Sequence, residues 1–294
     1  MKNNLHSKKD VRQMLRTRDL HFKKSLGQNF LTDESVLVDI VDAADITEED
    51  FVLEIGPGPG VLTRALAKRA ARVVAVELDR DIIELLSENI SDCDNVQIIN
   101  KDILKVDLEE LSREYFGGKS FKVIANLPYY ITTPIVMKLL ECEIKIEHIV
   151  IMIQKEVAER LTALPGTKDF GAISLSVNYY ADAQIVRIVP PEAFVPAPKV
   201  HSAVLKLSIL DEPRVKVEDE KYLFRLIKAS FSKRRKTFLN AISGENGLDI
   251  TKDEAKDMLL KLGFSENLRG ETLSLVQFAQ ISEGFSRKVR EKNR

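Results

Sequence analysis

The chain has 294 residues, 44% of them hydrophobic and 30% charged, which is material for one large domain or for a large and a small one. Its two cysteines, Cys93 and Cys142, stand in no metal-like spacing, so neither a disulfide framework nor a zinc site is supported and a reducing compartment is expected. The formal net charge of −1 taken alone argues against a polyanionic partner, but residues 1–31 carry eight Lys/Arg against two Asp/Glu and residues 211–294 carry eighteen against fourteen. Basic ends around an acidic centre permit a local footprint for nucleic acid, and an unevenly charged solvated surface explains the same count.

The first residues, MKNNLHSKKDVRQ, are basic but lack the apolar block of a secretory signal, and residues 1–20 are taken as a basic N-terminal extension. No run approaches the roughly 18 apolar residues of a membrane span, so a cytoplasmic protein without a membrane partner is expected. Five short β-rich runs follow: FVLEI (51–55), RVVAVEL (72–78), VQIIN (96–100), FKVIAN (121–126) and HIVIMI (148–153), with later strands near IVRIV and AVLKLSI. VLTRALAKRA and DRDIIELLSENI between them have helical spacing. This alternation predicts an α/β fold, a doubly wound parallel sheet with helices on its faces, over residues 21–210. At 210–220 charge, a proline and lost periodicity coincide, so a small all-helical domain is expected over 211–285. KYLFRLIKASFSKRRKTFLNAIS and TKDEAKDMLLKLGF are its amphipathic helices, and residues 286–294 are expected to form a mobile basic tail.

Three motifs fall at the ends of successive predicted strands. EIGPGPG (54–60) follows one strand and opens a helix, where Gly56 and Gly58 allow a sharp turn and a close ligand approach, although the third glycine comes too early for a dinucleotide fingerprint. Glu77 is spaced to accept hydrogen bonds from ribose hydroxyls, and Asp102, in NKDIL, to accept from an adenine amino group. Either acid alone is as well explained as a helix cap or a surface charge. EIGPGPG, VELD and NKDIL together resemble the first three motifs of S-adenosylmethionine-dependent methyltransferases with the Rossmann-like fold.

NLPY (126–129) ends the fourth strand, because proline cannot extend a hydrogen-bonded ladder. An exocyclic adenine amine is a poor nucleophile, its lone pair being delocalised into the ring. Two acceptors, the Asn126 side-chain oxygen and the Leu127 carbonyl freed by the turn at Pro128, can favour a pyramidal nitrogen aimed at an electrophile. Tyr129 offers a flat face for an unpaired or flipped base, and Phe194, held by Pro196 and Pro198, is either a second face or a core anchor.

The resemblance extends over most of the chain. KKSLGQNFL (23–31), EIGPGPGVLT, NLPYYITTP, MIQKEVAERL, FVPAPKVHSAV, FSKRRKTFLN and RGETLS are similar to segments of the small-subunit ribosomal RNA adenine dimethyltransferases, the bacterial kasugamycin-sensitivity methyltransferase family. That resemblance implies transfer of two methyls from S-adenosylmethionine to each of two adjacent adenosines in a hairpin near the 3′ end of small-subunit rRNA, within a 30S assembly particle. It implies cofactor contacts from Gln28, Asn29, Leu31, Gly56, Gly58, Glu77, Asp102 and Asn126. Target-base contacts are implied from Asn126, Leu127, Pro128, Tyr129 and Phe194, and RNA phosphate contacts from Lys233, Arg234, Arg235 and Lys236 on a C-terminal helix. A monomer is expected. The rival readings are a macrolide-resistance methyltransferase of large-subunit rRNA, a non-catalytic ribosome-assembly factor, and a nicotinamide dehydrogenase on the same architecture.

Overall fold

The computed structural model describes residues 28–233 and 235–292. Among these, nine strands follow in chain order: β1 (Phe30–Leu31), β2 (Phe51–Ile55), β3 (Arg72–Glu77), β4 (Val96–Asn100), β5 (Phe121–Asn126), β6 (Ile146–Gln154), β7 (Ala181–Val189), β8 (Phe194–Val195) and β9 (Ser202–Ile209). Helices α1 (Glu34–Ala43), α2 (Val61–Ala67), α3 (Arg80–Asn89), α4 (Leu108–Phe116), α5 (Thr132–Leu140), α6 (Lys155–Leu161) and α7 (Ala172–Tyr180) accompany them. The later helices are α8 (Glu220–Ser232), α9 (Phe238–Ile242), α10 (Lys252–Lys261) and α11 (Leu275–Lys292).

Seven strands form one sheet in the order β4-β3-β2-β5-β6-β9-β7, while β1 and β8 pair separately. β2 to β6 are mutually parallel where they adjoin, and β9 runs antiparallel to β6. The chain steps outward from β2 through β3 to β4, then returns to lay β5 on the other side of β2, and this reversal opens a crevice at the carboxyl ends of β2 and β5. β5 is buried over its first five residues because helices cover both faces of a parallel sheet, which is why FKVIA is so nearly apolar. Its one charge, Lys122, is matched by Asp50 at 2.8 Å and the Asp45 carbonyl at 2.6 Å.

Two compact units divide the chain. The first comprises the described residues up to Ala158 together with Ala183–Ile209, and the second comprises Glu159–Asp182 with the described residues from Leu210. The expected division at 210–220 therefore misses an inserted piece. Phe170, Leu175 and Tyr179 are buried with Leu226, Phe238 and Phe278, so the inserted piece packs into the helical unit's core up to the start of β7 at Ala181.

Two further expectations are corrected. KYLFRLIKASFSKRRKTFLNAIS is two helices, since Thr237 turns extended, accepts from Asn240 N and starts α9 afresh, burying Phe238 completely. The supposed tail continues α11 as far as Lys292, held by Arg290–Glu218 at 2.5 Å and Lys292–Glu254 at 2.7 Å. The N-terminal extension lies outside the described residues, and among these no helix is long and apolar enough to cross a membrane.

The glycine loop shows how close packing and backbone conformation combine. Gly60 caps α2 at φ +91°, and an added Cβ would stand 2.8 Å from Leu86 Cδ1 and 3.1 Å from Ile90 Cγ2. Gly117, after α4, has φ +64° with open space around it. Gly60→Ala is expected to lower unfolding free energy by about 3 kcal/mol, strain and overpacking together. Gly117→Ala is expected to cost about 1 kcal/mol, the backbone part alone, and denaturant titration of the two variants measures the difference.

Candidate active site

Register brings the strand-end motifs together. Ile55 is level with Val76 on one side and Ala125 on the other, so Gly56, Glu77 and Asn126 emerge side by side, and Asp102 follows β4 two residues after Asn100, the partner of Glu77. One cleft is lined by Gln28, Asn29, Gly56, Gly58, Glu77, Asp102, Asn126, Leu127, Pro128 and Tyr129. It lies wholly within the first unit.

The glycine loop is templated by protein groups. Gly56 and Gly58 have φ +67° and +56°, and Gly56 N donates to Val76 O at 3.0 Å. Gly58 N donates to Glu77 Oε2 at 3.2 Å, and Asp79 N to Glu77 Oε1 at 2.8 Å. A Cβ on Gly58 would stand 3.0 Å from Phe30 Cε1, so only glycine keeps this loop against β1. Asp102 caps a short 3-10 turn by accepting from Leu104 N at 3.0 Å through one oxygen, and the other takes no hydrogen bond from the described residues. Its capping and ligand-binding readings are thus compatible.

At the end of β5, Asn126 Nδ2 donates to Asn29 O at 3.0 Å. That bond occupies the donor end of the amide, and neither Asn126 Oδ1 nor the Leu127 carbonyl accepts a hydrogen bond from the described residues. Leu127 N is tied to Met152 O at 3.0 Å, and Pro128 O accepts from Ile131 N and Thr132 Oγ1, both at 3.2 Å, so the turn is fixed on either side. Tyr129 is half-buried, and burial pushes its phenol above the ordinary value, keeping it protonated.

Two residues expected at the cleft do not line it, and the basic run expected on a helix lies elsewhere. Leu31 and Phe194 are opposite each other in the β1–β8 pair and pack into the core of the first unit, with Phe194 only 2% exposed. Phe194 is therefore the core anchor of its two readings. Lys233, Arg235 and Lys236 lie in the turn between α8 and α9 rather than on a helix face, all three exposed, while Arg234 lies outside the described residues.

Other cleft residues were given no role of their own: Phe30, Leu78, Lys101, Ile103 and Tyr130 lie inside the motifs, and Ile135 lies just beyond NLPYYITTP. Asp79 was also missed: its Oδ2 accepts from Gln28 Nε2 at 2.7 Å while Oδ1 caps α3 through Asp81 N, so it latches the N-terminal segment to the site. An aspartate just before the helical run DIIELL was the available sign of a cap.

Glu54, under the glycine loop, is 1% exposed, and among the described residues neither carboxyl oxygen has a partner at hydrogen-bonding geometry, the nearby Thr63 hydroxyl pulling only weakly against the effect of burial. Burial, with the Glu77 carboxyl adding to it, pushes its pKa up to about 8 from an ordinary 4.5. Glu77 is also raised, chiefly by burial, against the pull of its two amide donors. Because the folded chain then holds a proton on Glu54 that the unfolded chain has lost, unfolding free energy falls as pH rises between about 4.5 and 8. Glu54→Gln, neutral and nearly isosteric, is expected to flatten that slope and to raise the melting temperature at pH 8 but not at pH 4.5, as followed by thermal unfolding across the range.

Comparison with known proteins gives concordant results. The family model described as ribosomal RNA adenine dimethylase matches residues 19–281. The chain is 52% identical over 262 residues to ribosomal RNA small subunit methyltransferase A of Alkaliphilus metalliredigens, covering 89% of this chain and 91% of that protein. Among solved structures, a dimethyladenosine transferase from Plasmodium falciparum superposes with a TM-score of 0.77 at 25% identity, covering 88% of this chain and 98% of that one. The 23S rRNA methyltransferase ErmE superposes at 0.66 and 24% identity over 88% and 100% of the two chains, which speaks for the fold alone. A match running from residue 19 to residue 281 takes in most of both units, and the chain therefore belongs to the ribosomal RNA adenine dimethylase family.

Proposed function

We propose that the protein dimethylates the exocyclic amine of two adjacent adenosines in a hairpin near the 3′ end of small-subunit (16S) rRNA, using S-adenosylmethionine, during 30S biogenesis. Family membership and the name of the 52%-identical relative support adenine dimethylation of small-subunit rRNA. The observation that carries the chemistry is the pair of open acceptors, Asn126 Oδ1 and the Leu127 carbonyl, beside a glycine loop at the sheet's reversal point.

The cleft fits the cofactor by its donor set: a backbone loop with no Cβ at Gly56 or Gly58, the Glu77 carboxyl for ribose hydroxyls, and the free oxygen of Asp102 for an adenine amine. Gln28 and Asn29 close its other side. When bound, S-adenosylmethionine supplies a methyl carbon already activated by its sulfonium. The chain's remaining task is alignment. Asn126 Oδ1 and Leu127 O take the two amine hydrogens of an unpaired or flipped adenine, which turns the nitrogen lone pair toward the cofactor side of the cleft. The Tyr129 face supports the base, and Pro128 fixes the turn that presents all three groups. Alignment is a sufficient source of rate because a unimolecular, oriented encounter removes much of the entropic part of the barrier. The methylated nitrogen returns its proton to solvent, and no strong general base is required.

Exposed Lys233, Arg235 and Lys236 suit RNA phosphates in a salt-dependent contact, with Lys233 exchanging its Glu245 partner, 3.3 Å away, for phosphate. On this reading the protein acts as a monomer in the cytoplasm, where its ribosomal substrate is assembled.

Asn126→Ala is expected to reduce methyl transfer about a hundredfold or more while retaining S-adenosylmethionine binding. The measurement is mass analysis of modified adenosines after incubation with immature 30S particles, with protein-free large-subunit rRNA as the competing substrate. Unchanged transfer by the variant overturns the catalytic assignment, and modification of the large-subunit RNA alone overturns the substrate assignment.

A further inference from the structure

FVPAPKVHSAV, residues 194–204, was singled out for Phe194, but its first residues brace the core instead. Its ninth position, Ser202, does something different beside the cleft. Tyr129 Oη and Ser202 Oγ are 2.7 Å apart, the usual separation of two hydrogen-bonded hydroxyls. Ser202 is 0% exposed, and as the first residue of β9 it is held level with Gln154 of β6 in the central sheet. A serine so placed has little freedom to follow a moving partner.

The other end of Tyr129 is equally fixed. Its backbone leaves a turn in which Pro128 O is bonded by Ile131 N and Thr132 Oγ1. A tyrosine ring has two side-chain torsions, so pinning the hydroxyl while the backbone is fixed sets the tilt of its faces. The next residue provides a built-in contrast. Tyr130 lines the same cleft but is 58% exposed, and its hydroxyl makes no hydrogen bond to the described residues. Of two adjacent tyrosines at one opening, the sheet holds one and leaves the other free.

We propose that Ser202 is a positioning residue for methyl transfer, acting only through the Tyr129 hydroxyl, and that it holds the ring at the tilt on which a purine lies flat with its amine at Asn126 and Leu127. The proposal rests on the reading of Tyr129 as the base platform. It assigns the link between β8 and β9 a specific task, since the same segment that seats β1 through Phe194 and Val195 also delivers Ser202. β1 in turn follows Asn29, whose carbonyl holds the Asn126 amide. One stretch of chain thereby braces both the acceptor and the platform.

Ser202→Ala and Tyr129→Phe remove the same bond from opposite sides, the second keeping the ring. With immature 30S particles as substrate, each is expected to lower kcat for methyl transfer about fivefold, the loss of one neutral hydrogen bond. KM for the particle stays near its original value, because backbone phosphates supply most RNA affinity, and S-adenosylmethionine affinity measured by calorimetry is unchanged. The double variant is expected to be no slower than either single one. If the two losses multiply, or if Ser202→Ala keeps full kcat while Tyr129→Ala loses it, the positioning role is wrong and the platform reading stands. If Tyr129→Ala itself keeps full kcat, the platform reading falls and this proposal falls with it. Should Ser202→Ala fail to fold, Tyr129→Phe decides alone, and full kcat in that variant overturns the proposal.

Discussion

An asparagine amide has a donor end and an acceptor end, and the architecture around the cleft depends on which end the protein occupies. Here the Asn29 carbonyl takes the donor, leaving the acceptor to the cleft. Several long-range features serve that one choice. β1 has to reach the end of β5, so it pairs with β8, and Thr32 N and Oγ1 both bond the Ala193 carbonyl. Gln28, just before Asn29, is held by Asp79 from the opposite wall. An amide free to turn over would present two donors instead of an acceptor, which would disfavour the amine that the proposed reaction brings there.

The acids of the site follow a second logic, that of charge taken out of water. Glu54 and Glu77 sit on neighbouring strands, both buried, and both have their acidity weakened by burial. Glu77 is compensated by amide N–H groups, whereas Glu54 has no such donor and holds its proton further up the pH scale. A neutral Glu54 beneath the loop avoids placing two bare carboxylates next to each other. The proposed cofactor carries a sulfonium cation, with which an acidic wall at this edge of the sheet is electrostatically consistent.

Much of the sheet was legible because parallel strands buried on both faces appear as short, nearly unbroken apolar runs. FVLEI and FKVIAN are such strands over the same residues that the pattern marks, and VQIIN is a strand too, at the sheet edge with no fully buried residue. The carboxyl-edge placement of Gly56, Glu77, Asp102 and Asn126 followed from that register. What escaped was set by tertiary contacts between distant segments. Phe194 is equally apolar over a base or in a core, and only its pairing with Leu31 decides. The interruption at 233–237 arises because Thr237 caps a new helix, in a stretch whose residues all suit a continuous one. Residues 159–182 join the helical unit through Phe170 and Tyr179, with no proline-rich or charged junction to announce it.

Both oxygens of Glu77 are already engaged by the amides of Gly58 and Asp79 in the chain alone. The loop therefore has its bend before any ligand arrives. Folding, rather than binding, has met the entropic cost of ordering it, so an incoming molecule is spared that penalty and its affinity reflects contacts more than rearrangement. Such preorganisation would also suit the proposed reaction, whose two methyl transfers to one amine consume two cofactors in turn.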